Sequence, residues 1–255
     1  MPNILSHRVG YVSKPQLPLD RVAGLGIQYL EIVMKADESA EDVLRTIEPH
    51  GLQVSTVHAH PTPLDDAEAL LGTMRQASAY AQQLGAKGFF VSMHAGEVPP
   101  EVYIPLLRQV GDIVADHGLL LAMETHQDLC ENADKAVACI GAIDHPAIGW
   151  NLDTANIYYY NENINVVEEA RKGAKLVRSL HAKDTPGGYH DPNFPNLGQG
   201  IVDFAGVAAV LAEVGFVGPW TMELEGVAGS ADNVDLMEAN VRECAEYLRG
   251  LGVVE

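Results

Sequence analysis

The chain has 255 residues, 47% of them apolar, which is enough to bury a full core; α/β barrels use about this length for one domain, so residues 1–255 are expected to form a single unit. Acidic side chains outnumber basic ones by 35 to 16, and a net charge of −19 repels a phosphate backbone, which argues against a nucleic-acid partner. The three cysteines (Cys130, Cys139, Cys244) form no CxxC pair and are expected as reduced thiols; with no leader-like start and no apolar run of membrane-spanning length, a cytoplasmic protein without a membrane partner is expected.

Short apolar runs rich in β-branched or aromatic residues alternate with longer amphipathic stretches, the pattern of βα units around a parallel sheet. Strands are expected at 4–12, 29–33, 53–58, 88–92, 119–124, 148–153, 177–181 and 220–223. Helical spacing of apolar residues marks 65–84, 101–117, entered through a Pro-Pro pair, and a final helix over 231–251. Turn signals at Gly51, Gly85 and Gly118, and the VGFVGP stretch before Trp220, fall where a helix hands over to a strand. Eight such units make a (β/α)8 TIM barrel. The alternative, an open doubly wound sheet, lacks a glycine-rich nucleotide fingerprint after an early strand.

In a barrel the C-terminal strand ends carry the active site, and polar residues gather there. Glu124 in LLLAMETH, Asp153 in IGWNLDTAN, His181 in VRSLHAKD and Glu223 in WTMELEG close four successive apolar runs. Any one of these carboxylates alone reads as a helix cap or a loop residue. Three in one cleft would repel one another unless a cation neutralised them, so four residues in register point to a common divalent metal site. Oxygen ligands with a single imidazole suit Mn²⁺, Mg²⁺, Co²⁺ or Zn²⁺.

Other inward polar residues include Glu31, His58, His60, His94 and His126. Lys183, inward beside the metal, needs an anionic or hydroxyl partner; its structural alternative is a salt bridge to Asp184 or Glu225. Gly198 and Gly200 of LGQG are expected to make a tight turn in preference to an anion-binding loop.

Together METH, NLDTAN, HAKD followed by LGQGIVDF, and GPWTMELEG resemble the xylose-isomerase-like family of sugar isomerases and epimerases, with YLEIV and VHAH extending the similarity into the first half. The resemblance implies that Glu124, Asp153, His181 and Glu223 ligate one divalent ion, Mn²⁺ being favoured, while Glu124 and Glu223 also move protons on opposite faces of a ketose or keto-sugar. It assigns Lys183, His58 and His94 to substrate hydroxyls. Many members carry a histidine three residues after the strand-six aspartate; here Asn156 stands there, able to hydrogen-bond a substrate oxygen but not to shuttle a proton. Related apurinic-site endonucleases need that histidine and a further Asp/His pair just before the GxG of the loop after strand seven, where this chain reads PNFPNLGQG, with Pro192 and Phe194 in place of the pair. A sugar epimerase or aldose–ketose isomerase is therefore expected, epimerisation ahead, with a metal-dependent phosphodiesterase or a non-catalytic sugar-binding barrel as the alternatives. A homo-oligomer is possible on this reading.

Overall fold

A computed structural model describes residues 3–9, 16–60, 63–225 and 233–255. Eight parallel strands close into a barrel in chain order: β1 Ile4–Val9, β2 Tyr29–Val33, β3 Gln53–His58, β4 Gly88–Val91, β5 Leu120–Glu124, β6 Ile148–Asp153, β7 Val177–Ala182 and β8 Pro219–Met222. The (β/α)8 expectation is met, with strand ends shifted by at most a residue or so. β8 stops at Met222, so Glu223 sits one residue beyond it. The expected continuation of β1 through 10–12, and the first two residues of the final helix at 231–232, lie outside the described residues.

Helices surround the sheet: α1 Leu19–Gly24, α2 Ala40–Ile47, α3 Ala67–Gln83, α4 Pro100–Asp116, α5 Ala133–Ile143, α6 Asn156–Tyr160, α7 Val166–Gly173, α8 Phe204–Glu213 and α9 Val234–Gly250. Several starts are set by short polar side chains that accept the free amides of the first turn, as Asp66 does for α3, Asn132 for α5, Asp203 for α8 and Asn233 for α9, whereas α1 and α4 begin at prolines. Each turns an apolar face inward, for example Leu70, Met74, Ala77 and Ala81 of α3. Between helices and sheet lie Trp150, Trp220, Phe89, Leu121 and Met123, all fully buried. Gly173 at the end of α7 lies where any side chain would strike the Trp150 ring, which lets that helix approach β6 closely. Cys130, Cys139 and Cys244 are buried free thiols, as expected.

The inside of the barrel is polar. The hydroxyls of Ser6 and Ser55 share a hydrogen bond of 2.7 Å, and Thr56, Asn151, Ser179 and Thr221 are buried beside them. Register shifts between Leu30 and Glu31 against β3, and between Trp150 and Asn151 against β7, bring Glu31 level with Thr56 and Asn151 level with Ser179. The same register pairs Asp153 with His181.

Candidate functional site

His181, fully buried at the end of β7, is the centre around which the other groups stand. Its Nδ1 lies 3.2 Å from Glu124 Oε1, 3.4 Å from Glu223 Oε2 and 3.7 Å from Asp153 Oδ2. On the other side of the ring Nε2 is 3.2 Å from Glu31 Oε1, and the amide of Asn151 adjoins it at 2.9 Å. Phe90 of β4 packs edge-on against the imidazole at 4.5 Å and fixes its plane. Burial alone would push the His181 pKa down, but Glu31, Asp153 and Glu124 drive it well above the ordinary histidine value. These carboxylates therefore demand positive charge at this point.

Asp153 divides its two oxygens between fold and site. Oδ1 accepts the amides of Ala155 at 2.9 Å and Asn156 at 2.8 Å, which starts α6, while Oδ2 points to the centre. One oxygen thus caps the helix while the other is left turned toward the cluster. The two glutamates are split in a parallel way. Glu124 keeps Oε1 toward His181 and receives the Ser92 hydroxyl at Oε2; Glu223 keeps Oε2 toward His181 and receives Arg8 Nη1 at Oε1. Burial alone would raise the Glu124 carboxyl; His181, Arg8 and Ser92 more than offset this and hold it far below the usual carboxylate range.

Lys183, two residues past His181, is buried with Nζ 3.1 Å from Glu223, 2.8 Å from Glu225 and 3.5 Å from Asn156 Oδ1, and it lies over the Phe194 ring at 4.3 Å. Of the two alternatives for its ion pair, Glu225 is the partner. Asn156 is anchored by donating Nδ2 to the Thr125 carbonyl at 3.0 Å. His58 stacks on Phe90 and accepts Arg8 Nη2 at Nδ1 over 3.0 Å; burial first, and the Arg8 charge second, push its pKa down to about 4, so at neutral pH the ring carries no charge. Arg8, His58, Glu124, Asn156, Lys183 and Glu223 all border one cleft of about 310 Å³, whose lining also includes Tyr159, Tyr160, Pro192 and Phe194. His94 does not. It lines the adjoining groove with Pro63, Leu64 and Val98, touching the cleft only through the edge of His126, whose Nε2 is 2.6 Å from the Tyr160 hydroxyl.

Arg8, Ser92 and Tyr160 also line the cleft, and the sequence motifs do not mark them. Arg8 shares the inward parity of Ser6, and Ser92 follows the apolar run of β4, so the register carried a signal for both; Tyr160 arrives on a short helix that no periodicity reveals. Loop seven resolves the question of its glycines. Asp184 accepts Gly198 N at 2.8 Å, Gly200 N at 2.9 Å and Val202 N at 3.2 Å, and a side chain on Gly200 would collide with that carboxylate. These amides are consumed internally, so the glycines serve the turn.

Glu124, Asp153, His181 and Glu223 each offer one ligand atom, all within 4.8 Å of one another. Ligand atoms held at about 2.1 Å by one ion stand roughly 3 Å apart when adjacent and roughly 4.2 Å when opposite. The spacing suits a divalent cation after a small contraction. Two of the atoms, Asp153 Oδ2 and His181 Nδ1, are buried without an aligned hydrogen bond among the described residues, the state that a ligand atom facing a cation has. The donor set fits the ion.

Residues 19–251 match the family model described as xylose isomerase-like TIM barrel. The L-ribulose-5-phosphate 3-epimerase UlaE of Salmonella paratyphi C (strain RKS4594) is 26% identical over 170 residues, covering 63% of this chain and 58% of that protein. Among solved structures, the xylose isomerase domain protein of Planctomyces limnophilus superposes with a TM-score of 0.79 at 21% identity over 98% of both chains. D-psicose 3-epimerase of Clostridium cellulolyticum H10, solved with D-tagatose, gives 0.78 at 14% identity over 98% of this chain and 99% of that one. At these identities the superpositions show a common fold. No helix among the described residues is long and apolar enough to cross a membrane.

Proposed function

The chain belongs to the xylose isomerase-like TIM barrel family, and we propose that it is a divalent-metal-dependent sugar epimerase acting on a ketose or keto-sugar, with Glu124 and Glu223 as the proton-transferring pair. The observation that carries this reading is the symmetry of the glutamates: each sets one oxygen toward His181 and has the other held by a donor, Ser92 for Glu124 and Arg8 for Glu223. The epimerases named among the relatives and structural neighbours support it.

Glu124, Asp153, His181 and Glu223 would hold the ion, Mn²⁺ being favoured; when bound it draws electron density from the substrate carbonyl and makes the neighbouring C–H acidic. Glu124 then accepts the proton from that carbon. The C–H electron pair becomes the carbon–carbon double bond of an enediolate as the carbonyl π pair moves onto oxygen. Lys183 Nζ, kept at the cleft wall by Glu223 and Glu225, donates a hydrogen bond to the developing negative charge. Glu223, which must carry a proton when the substrate binds, gives it to the opposite face of the same carbon and is left as a carboxylate; the carbonyl re-forms with inverted configuration, and proton exchange with solvent resets Glu124 and Glu223. Asn156 and His58 bind hydroxyl groups along the chain of the sugar. The acid/base work is worth about 10² to 10⁴ in rate.

Incubation of ketoses with Mn²⁺ in deuterated water tests the reading. Deuterium entering a carbon next to the carbonyl, with the epimer formed, is the expected result; no exchange in any ketose would exclude the enediolate route, and cleavage of an abasic oligonucleotide would establish phosphodiester hydrolysis in its place.

A further inference from the structure

We infer that the cleft is built for unphosphorylated keto-sugars and discriminates against sugar phosphates, with Glu225 at its rim as the residue that sets this preference. The inference rests on the epimerase reading and departs from the phosphorylated substrate named for the Salmonella relative.

Three observations carry it. First, the loop after strand seven, one of those from which barrels build a phosphate site, has its amides occupied from within: those of Gly198, Gly200 and Val202 donate to Asp184. A phosphate there would have to displace a covalently tethered carboxylate that is itself buried. Second, the charge balance is unfavourable. Around the cleft Glu31, Glu124, Asp153, Glu223 and Glu225 stand against Arg8 and Lys183, so that even with a divalent ion the carboxylates, when all are ionised, exceed the side-chain and metal charge by one unit among the described residues. Both cations are engaged, Arg8 with Glu223 and Glu31, Lys183 with Glu223 and Glu225. Glu225 is the most exposed of the five carboxylates, about one-third open, so it is the charge that an incoming dianion meets.

Third, part of the cleft lining consists of aromatic and apolar faces, one of which, Phe194, packs against the already engaged Lys183. Tyr159, Tyr160, Pro192 and Phe194 border the cleft, and Tyr159 is braced by Phe194 at 6.2 Å and by stacking on His190 at 5.1 Å. Flat apolar faces with polar tips suit the C–H face of a polyol, whose hydroxyls can reach Lys183 and Asn156. They leave a phosphate dianion poorly solvated.

The test compares matched free and phosphorylated ketopentoses and ketohexoses with the Mn²⁺-loaded protein in deuterated water, reading kcat/KM for C–H exchange. The free sugars are expected to lead by at least about tenfold, and Glu225→Gln to shrink that ratio by raising turnover of the phosphorylated members relative to the free ones. A phosphorylated ketose turned over as well as its free counterpart overturns the inference and leaves the epimerase reading standing; exchange in neither set overturns both. The wild-type ratio decides the matter should the Glu225 variant fold poorly, and an unchanged ratio in a folded variant removes Glu225 as the determinant.

Discussion

Glu31 and His181 face each other inside the barrel with Oε1 3.2 Å from Nε2, on the opposite side of the ring from the three carboxylates that surround Nδ1. Thr56 donates its hydroxyl to the other Glu31 oxygen, Oε2, at 2.6 Å, and that oxygen also lies within hydrogen-bond reach of Nε2 at 3.4 Å, so one end of the carboxylate is fixed beside the ring. A proton kept on Nε2 by Glu31 leaves the Nδ1 lone pair directed at the candidate metal position, the arrangement in which a buried carboxylate sets the tautomer of a ligating histidine.

Replacing Glu31 by Gln should therefore weaken metal binding about 10- to 100-fold without removing any ligand atom. Mn²⁺ titration of metal-free protein reads this directly, and an affinity equal to wild type would show that Glu31 does not orient His181.

Asp153 permits a sharper separation. In Asp153→Asn the side-chain oxygen can still accept the amides of Ala155 and Asn156, but the amide nitrogen now points at the cation position. The variant should keep its fold and lose the metal-induced rise in thermal stability, which for wild type amounts to about 2.7 kcal/mol at a hundredfold excess over Kd. Asp153→Ala should lose the same rise and about 1 kcal/mol more from the uncapped start of α6. Equal metal-free stability of the two variants would contradict the divided role of the two oxygens.

For the proton-transferring pair, Glu124→Gln and Glu223→Gln should each reduce carbon-bound deuterium exchange by about a thousandfold, with circular dichroism like that of wild type. Near-normal exchange in either variant would eliminate that residue as a proton carrier.

The pH dependence of stability should show His7. Burial pushes its pKa down to about 4, partly countered by a hydrogen bond with the Met222 backbone. The unfolded chain takes up the proton near pH 6.5 and the folded one only near pH 4, so the stability tied to neutral His7 is full above 6.5 and lost as pH falls toward 4. The slope is about 1.4 kcal/mol per pH unit inside that window. As the medium is acidified from pH 6.5 toward 4, the urea midpoint of wild type should fall relative to that of His7→Leu; parallel curves would show that His7 does not titrate with unfolding.

In loop seven, Asp184→Ala leaves the amides of Gly198, Gly200 and Val202 without their acceptor and should cost about 2–4 kcal/mol in urea unfolding. Gly200→Ala should also destabilise, because its Cβ meets the Asp184 carboxylate. A neutral result for both would mean that the loop is held by other contacts.

The barrel was legible because each strand is a short β-rich run closed by a turn signal, and the ligand candidates were legible because each sits where such a run ends. What was hidden depends on matters one strand does not encode. Arg8 reaches Glu223 only because β1 and β8 are neighbours in the closed sheet, a relation between residues 215 positions apart. His94 looked equivalent to His58 by position, yet it turns into the adjoining groove, since a residue just past a strand is no longer bound to its alternation. Asp184, adjacent in sequence to Lys183, is not its partner; it points back into its own loop because adjacent residues on an extended segment face opposite ways.

That opposition between Lys183 and Asp184 bears on attempts to reshape the protein. Loop seven is clasped by a residue at its own start, next to a lysine at the cleft. Grafting a foreign segment in place of PNFPNLGQG while keeping HAKD would leave the aspartate without its amides, and altering HAKD would release the loop. The two stretches form one exchangeable cassette, and a library that varies either alone will be dominated by unfolding before it reports on specificity.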